Sequence, residues 1–415
     1  MTDNSLRSVL TPKITKVLVG VGLNAFGNGL TLALLLVYLV QIREFSVDRA
    51  SILLSWMAVL GLLLTGVVGA IVDRIGPRPV LLAGLVIEAI GVGFWSQVHT
   101  FRDALLVSSI VALGGSSIWP PQSALLAQLA PVEHRQRVFG LNFMLLNAGL
   151  GLGGLVSALL IIEGDTSSFE RLYYLNSISY VAYFVIAISL KGVGGRVEHD
   201  PEVEQQSGGY KEVFADRRLV RLAVGGLLML ICGYASVEAG LAIFTTEFVG
   251  LSPKWLGVIF GVNTFTIVSL QAFILKWMDH KSRTRLLGLV GVMWACSWIV
   301  IALTVQTSGV FAVFLLCASQ FVFAIGEMLW APISPAMANE LAPDHLRGRY
   351  NAMISLQWGV ANTIGPLITG LTLGRGHPFA WTLSLAAGCL IAGYLMVTLK
   401  RYLTAEQDGR KVTAA

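Results

Sequence analysis

The chain has 415 residues, 55% of them hydrophobic and only 13% charged, with a net charge of +5 and a mean hydropathy of +0.72. Soluble domains carry about 25% charged residues, so this composition excludes a large soluble enzyme, a nucleic-acid-binding protein and a disordered chain. A polytopic membrane protein is left.

Crossing the ~30 Å hydrocarbon layer takes about 20 apolar residues in a helix. Stretches of that kind lie near 17–40, 50–72, 80–97, 104–130, 138–162, 172–190, 222–246, 255–275, 286–307, 310–339, 350–374 and 378–399. Each must be helical, because an open strand edge has no backbone partner in lipid. The expected fold is an all-α integral membrane protein with twelve transmembrane helices in two six-helix bundles. The first stretch lacks an A-x-A site and reads as an uncleaved anchor.

Lys and Arg set the orientation. With the N-terminus inside, every basic residue faces the cytoplasm except Arg43, Arg49, Arg102, Arg171, Lys254 and Arg375. Both termini are then cytoplasmic, and topology alone accounts for the basic charge. Cys232, Cys296, Cys317 and Cys389 stand singly in apolar runs and read as buried packing residues, without metal or disulfide spacing. All six histidines lie outside the apolar stretches.

The longest polar stretch, 192–216, holds Gly-Gly pairs, Pro201 and the acids Glu198, Asp200, Glu202 and Glu204. It reads as a flexible cytoplasmic linker between an N-terminal bundle over 1–191 and a C-terminal bundle over 217–415. The halves resemble each other. Leu129-Ala130-Pro131 with Arg135 and Arg137 recurs 212 residues on as Leu341-Ala342-Pro343 with Arg347 and Arg349. At that offset Gly114, Pro120 and Gly153 meet Gly326, Pro332 and Gly365. Earlier in each half the offset is 206, where Ser46 and Asp73 meet Ser252 and Asp279, while Gly61 meets Ile267. Repeats of this kind build transporters whose substrate site lies between bundles near the midplane.

The loop after the second stretch reads Gly69-Ala-Ile-Val-Asp73-Arg74-Ile-Gly76-Pro-Arg78-Pro. Gly69 permits close packing and Gly76 a tight turn. Asp73 can face a helix N-terminus or an arginine, while Arg74 and Arg78 hold the loop inside. The pattern resembles the cytoplasmic signature of the major facilitator superfamily, Gly-x-x-x-Asp-Arg/Lys-x-Gly-x-Arg/Lys. The resemblance implies a twelve-helix fold in which this loop is a conformational latch. The second copy, around Asp279, keeps mainly the acid.

The fifth stretch carries Gly140, Gly149, Gly153 and Gly154. This resembles the Gly-x8-Gly-x3-Gly-Pro-x2-Gly-Gly pattern of twelve-helix drug/proton antiporters, with Gly154 in place of Pro and Ser157-Ala158 in place of the last pair. The small residues predict a tight helix seam. Arg in the fourth stretch, common among efflux relatives, is missing here, so any proton step must use other groups.

Three acids fall inside the apolar stretches: Glu88, Glu238 and Glu327. A charge at mid-bilayer costs about 2.5–3.5 kcal/mol on insertion scales, which marks such residues as functional candidates. Glu327 shares a helix face with Phe323 and Trp330, a seat for a lipophilic cation by charge and cation–π attraction. Glu238 shares a face with Tyr234 and Thr245. The resemblance places both acids on helices lining the central cavity. Asn24 and Asn28, like Trp358 and Asn362, are i, i+4 pairs that either line this cavity or join helices. Glu88 lies in the third stretch, peripheral in such a fold, and its role stays open.

These features lead to the expectation of a monomeric secondary transporter in a plasma or bacterial inner membrane. It exports hydrophobic, cationic or amphiphilic small molecules in exchange for protons, with the proton gradient and no cofactor as its driving force. A metabolite, sugar or siderophore carrier, an importer and a non-transporting sensor are the alternatives. The lack of intramembrane Lys or Arg disfavours anionic substrates, and the chain lacks GxxxxGK[ST], HExxH and GxSxG motifs.

Overall fold

The computed structural model describes residues 10–32, 34–35, 38–162, 165–195, 209–251 and 254–410. Among them all regular structure is helical. The chain forms two compact units. The first holds Met1–Gly208 with Ala342–Leu356, and the second holds Gly209–Leu341 with Gln357–Ala415.

In the first unit the helices are α1 (Pro12–Thr31), α2 (Val47–Ile75), α3 (Pro77–Phe94), α4 (Phe101–Ser116), α5 (Trp119–Leu129), α6 (Arg135–Leu160) and α7 (Thr166–Ile188). In the second they are α8 (Tyr210–Ala215), α9 (Arg217–Leu230), α10 (Ser236–Ile243), α11 (Lys254–Met278), α12 (Arg283–Leu303), α13 (Gly309–Leu341) and α15 (Pro378–Leu399). The remaining helix, α14 (Arg347–Thr372), begins in the first unit and ends in the second.

Among the described residues, each of the twelve apolar stretches falls mainly on helix. Nine helices among the described residues are long and apolar enough to cross a membrane. Those on α1, α7 and α14 fall short of that standard, for a chemical reason. Lys13, Lys16, Asn24 and Asn28 dilute α1, Glu170 and Arg171 open α7, and α14 carries Arg347, Arg349, Asn351 and Gln357.

The helix ends follow local rules. Thr11 Oγ1 accepts from Ile14 N at 3.3 Å, with Pro12 in the first turn. Thr100 and Asp103 form a reciprocal capping box on α4. Asp165 caps α7, and hydrogen bonds from Ser167 hold its carboxyl below the usual carboxylate range.

The repeat is visible in the packing. In the first unit α1 packs on α7, α2 on α4, and α3 on both α4 and α7. The same pairings recur in the second as α9 on α15, α11 on α13, and α12 on both α13 and α15. Gly153 of α6 abuts Phe26 O and Gly29 Cα of α1, and Gly365 of α14 abuts the backbone of Ala235. Those partners, Gly29 and Ala235, are themselves related by the offset of 206.

Of the expected seam, Gly149 and Gly153 make the close approach to α1, and Gly140 is buried. Gly154 departs from the expectation: it is exposed, and its Cβ would find Gly29 O only at 3.9 Å, ordinary contact. Gly153→Leu is therefore expected to force α1 and α6 apart, at a cost of roughly 1–3 kcal/mol or more. Gly154→Ala is expected to leave stability unchanged. Thermal unfolding of the two purified variants in detergent checks the contrast.

Two further readings need correction. Cys296 is exposed and Cys317 half-buried, and only Cys232 and Cys389 are buried. A helix face turned to lipid leaves its side chains uncovered by protein, so an apolar run does not by itself mean protein burial. Within the span read as a linker, Tyr210–Ala215 form a helix. The acidic run of that linker, with Pro201 and Arg196, lies outside the described residues, as do Arg7, Ser252 and Lys411.

Candidate functional site

The second unit gathers its polar groups around α13. Pro332 and Pro335 sit inside this helix. Proline has no N–H, so Pro332 leaves the carbonyl of Met328 without its helical donor. Gln271 of α11 fills the gap, its Nε2 donating to Met328 O at 3.3 Å. Gln271→Leu is expected to destabilise the protein by about 1–3 kcal/mol, because that carbonyl is then orphaned away from water. Denaturation of the variant in detergent measures this.

One turn before the proline, Glu327 is 5% exposed. Asn263 of α11 donates its Nδ2 to Glu327 Oε2, and the Tyr234 hydroxyl donates to the same carboxylate. Tyr234 stands in a π-helical turn, Ile231–Ala235, between α9 and α10. Such a turn inserts a residue and re-aims the side chains that follow, and Ser236 Oγ binds the carbonyl of Ile231 at 2.7 Å. Glu238, one turn beyond Tyr234, lies within electrostatic reach of both Tyr234 and Glu327 and is exposed.

Through Tyr234, Glu327 joins a cluster of aromatic rings. Tyr234 meets Trp358 at 4.8 Å between centroids, Trp294 at 5.3 Å and Phe323 at 5.8 Å. Trp294 stacks on Phe323 at 4.8 Å and its Nε1 donates to Phe323 O at 3.0 Å. Trp330, buried, lies 6.5 Å from Trp294. So Glu327, Tyr234, Phe323, Trp330 and Trp358 come together, Glu238 borders them, and Asn362 is exposed further along α14. Asn263 and Trp294 join the site without any signal in the sequence. A single Asn or Trp in an apolar run carries no period that sets it apart from packing.

In the first unit Asn28 is half-buried and accepts from Tyr180 Oη of α7 at 2.7 Å. It serves a contact between helices there.

A single residue, Gly76, joins α2 to α3. Gly76 has φ 91°, a conformation that favours glycine. Arg78 donates to the carbonyls of Ala187 at 3.2 Å and Ile188 at 2.8 Å, a cation at the C-terminus of α7. Arg74 is exposed. Asp73, its side chain 4% exposed, accepts from the backbone N–H of Gly348, and from Arg349 through its N–H at 3.2 Å and its guanidinium at 3.2 Å. The acid thus holds both the N-terminus of α14 and an arginine. Gly348 is a further partner of Asp73 that the loop signature does not indicate. A Cβ there would meet the Gly69 carbonyl and Asp73 Oδ1.

A family model described as Major Facilitator Superfamily matches residues 17–317. The chain is 23% identical over 389 residues to the quinolone resistance protein NorA of Staphylococcus aureus (strain MSSA476), covering 90% of this chain and 93% of that protein. It is 26% identical over 319 residues to the multidrug resistance protein MdtH of Salmonella schwarzengrund (strain CVM19633), covering 75% and 74%. Among solved structures, a bacterial homologue of the iron transporter ferroportin matches with TM-score 0.77 at 16% identity, over 94% of this chain and 99% of that one. The human organic anion transporter MFSD10 (TETRAN) matches with TM-score 0.76 at 15% identity, over 93% and 100%. At such identities the structural likeness is one of fold. The family match covers most of the sequence, and the chain belongs to the Major Facilitator Superfamily, as a multi-pass membrane transporter rather than an enzyme.

Proposed function

We propose that this transporter exports hydrophobic, cationic or amphiphilic small molecules in exchange for protons, with both termini in the cytoplasm. One observation carries the reading: Glu327 is a buried acid whose partners are an amide and a phenol, set among the rings of Tyr234, Trp294, Phe323 and Trp358. A carboxylate beside aromatic faces attracts a desolvated cation by charge and by ring quadrupole, worth about 2 kcal/mol or more for a single desolvated cation–π contact.

The same group carries a proton when the cation leaves, so cation and proton compete for one site. Coupling then needs only that each binds the inward-open and outward-open states unequally. Glu238 supplies a second acid at the border of the site. The relatives named for quinolone and multidrug resistance support export of such compounds.

The test is a panel of lipophilic cations, neutral amphiphiles and organic anions, offered to inverted membrane vesicles containing the full chain under an imposed pH gradient. Cation accumulation that collapses with the gradient, together with proton counter-movement, is the expected result. Accumulation of organic anions alone, or movement indifferent to the gradient, rejects the reading.

A further inference from the structure

The first unit buries an acid that the proposed site does not use. Glu88 stands in the middle of α3 and is 5% exposed. Its Oε2 has no hydrogen-bond partner and rests against Gly114 of α4. Its Oε1 lies 3.4 Å from Tyr180 Oη of α7, and that hydroxyl lies 2.7 Å from Asn28 Oδ1 of α1. Asn24, one turn earlier on α1, brings an Nδ2 without a partner to the same phenol.

We propose that Glu88 is a second proton-carrying site, and that its proton decides whether Tyr180 ties α7 to α1 or to α3. A phenol has one proton to donate. The 2.7 Å contact is an ordinary O–H···O bond and 3.4 Å is too long for one, so here the proton of Tyr180 goes to Asn28. Glu88 then has no donor strong enough to hold a charge, and an ionised carboxylate away from water is costly without partners. A protonated Glu88 fits the observed arrangement, with Oε1 3.4 Å from Tyr180 Oη and Oε2 without a partner.

On release, the O–H bond of Glu88 breaks and its proton leaves to water. Tyr180 then turns its own proton from Asn28 to the new carboxylate. Uptake from water reverses both moves, and no other bond changes. Asn28, half-buried, is the least covered of these groups.

The groups acting on Glu88 are few. Tyr180 comes from α7 and the backbone of Gly115 from α4. The two other helices packed on α3 are α2 and α5. The acids and bases of α2 sit at its ends, Asp48 and Arg49 at one and Asp73 and Arg74 at the other, while α5 has none. The repeat gives the position meaning. At the offset of 206, Asn28 falls on Tyr234 and Glu88 on Trp294, two members of the cluster that Glu327 joins. The acid of one unit thus falls on a ring of the other unit's cluster, and Asn28 on its tyrosine, so repeat-related positions carry polar and aromatic groups of different kinds.

Infrared difference spectra between acidic and alkaline buffer, taken on the full chain in lipid vesicles without substrate, test this directly. The expected result is a protonated-carboxyl C=O band lost in Glu88→Gln and shifted in Tyr180→Phe, with a Glu327 band kept in both. A Glu88→Gln spectrum identical to that of the unaltered chain overturns the site, and an unmoved band in Tyr180→Phe overturns the switch. Should Glu88→Gln fail to insert, the band position in Tyr180→Phe decides both points, since only a carboxyl touching that phenol would shift. The spectra need no transport, so a failed efflux assay and a failed Glu88 site give different results.

Discussion

Glu327→Gln is expected to reduce pH-gradient-driven efflux to the background of vesicles lacking the protein, while the variant inserts and folds as before. Glutamine keeps the volume of the side chain and an oxygen able to accept from Asn263 and Tyr234. What it lacks is a titrating proton and a negative charge. Both losses matter for exchange, since the proton and the cation are proposed to use the same oxygen atoms. Binding should separate the two effects. A lipophilic cation is expected to bind the variant more weakly, having lost its counter-charge, whereas a neutral amphiphile that uses only the rings of Tyr234, Trp358 and Phe323 keeps its affinity. Fluorescence quenching of the cage tryptophans by each ligand in detergent gives the comparison. Gradient-driven efflux that survives in Glu327→Gln would remove this acid from the proton step.

The sequence makes the acid legible and hides the groups that support it. Glu327 stands out because a carboxyl in a long apolar run has one chemical explanation to look for. Asn263 does not, because its meaning lies in a neighbour on another helix. Pro332 can be read as a break in α13, yet nothing marks Gln271 as the donor that satisfies the carbonyl it frees. The repeat behaves in the same way. Gly153 and Gly365 pair by offset alone and share a packing role, but the surface each meets is Gly29 in one unit and Ala235 in the other. Gly154 matches a motif and has room to spare, because its side of α6 is turned from α1. Periodicity and offset report which face of a helix is small or apolar. They do not report the partner across the interface, and polar sites are made of partners.

Asp73→Ala is expected to lower the stability of the protein by about 3–5 kcal/mol, the usual cost of removing one member of a buried ion pair, and to bring transport near background. The substitution strips an acceptor from two backbone N–H groups at the start of α14 as well as from the Arg349 guanidinium. That helix begins in the first unit and continues into the second, so a loosened first turn disturbs an element both units share. Two further variants tell the charge from the geometry. Exchanging the charges, as Asp73→Arg with Arg349→Asp, restores an ion pair on paper but offers the N–H groups of Gly348 and Arg349 a donor instead of an acceptor. It is expected to be as unstable as Asp73→Ala. Gly348→Ala leaves every charge in place and puts a Cβ against the Gly69 carbonyl and the Asp73 carboxylate, so it should weaken the same contact by distance alone. Thermal unfolding of the three variants decides the matter. If the charge exchange recovers stability, the arginine alone holds Asp73, and if Gly348→Ala is silent, the close approach of α14 to the loop is slack. The expected pattern, loss in all three, requires an acid at residue 73 and no side chain at residue 348.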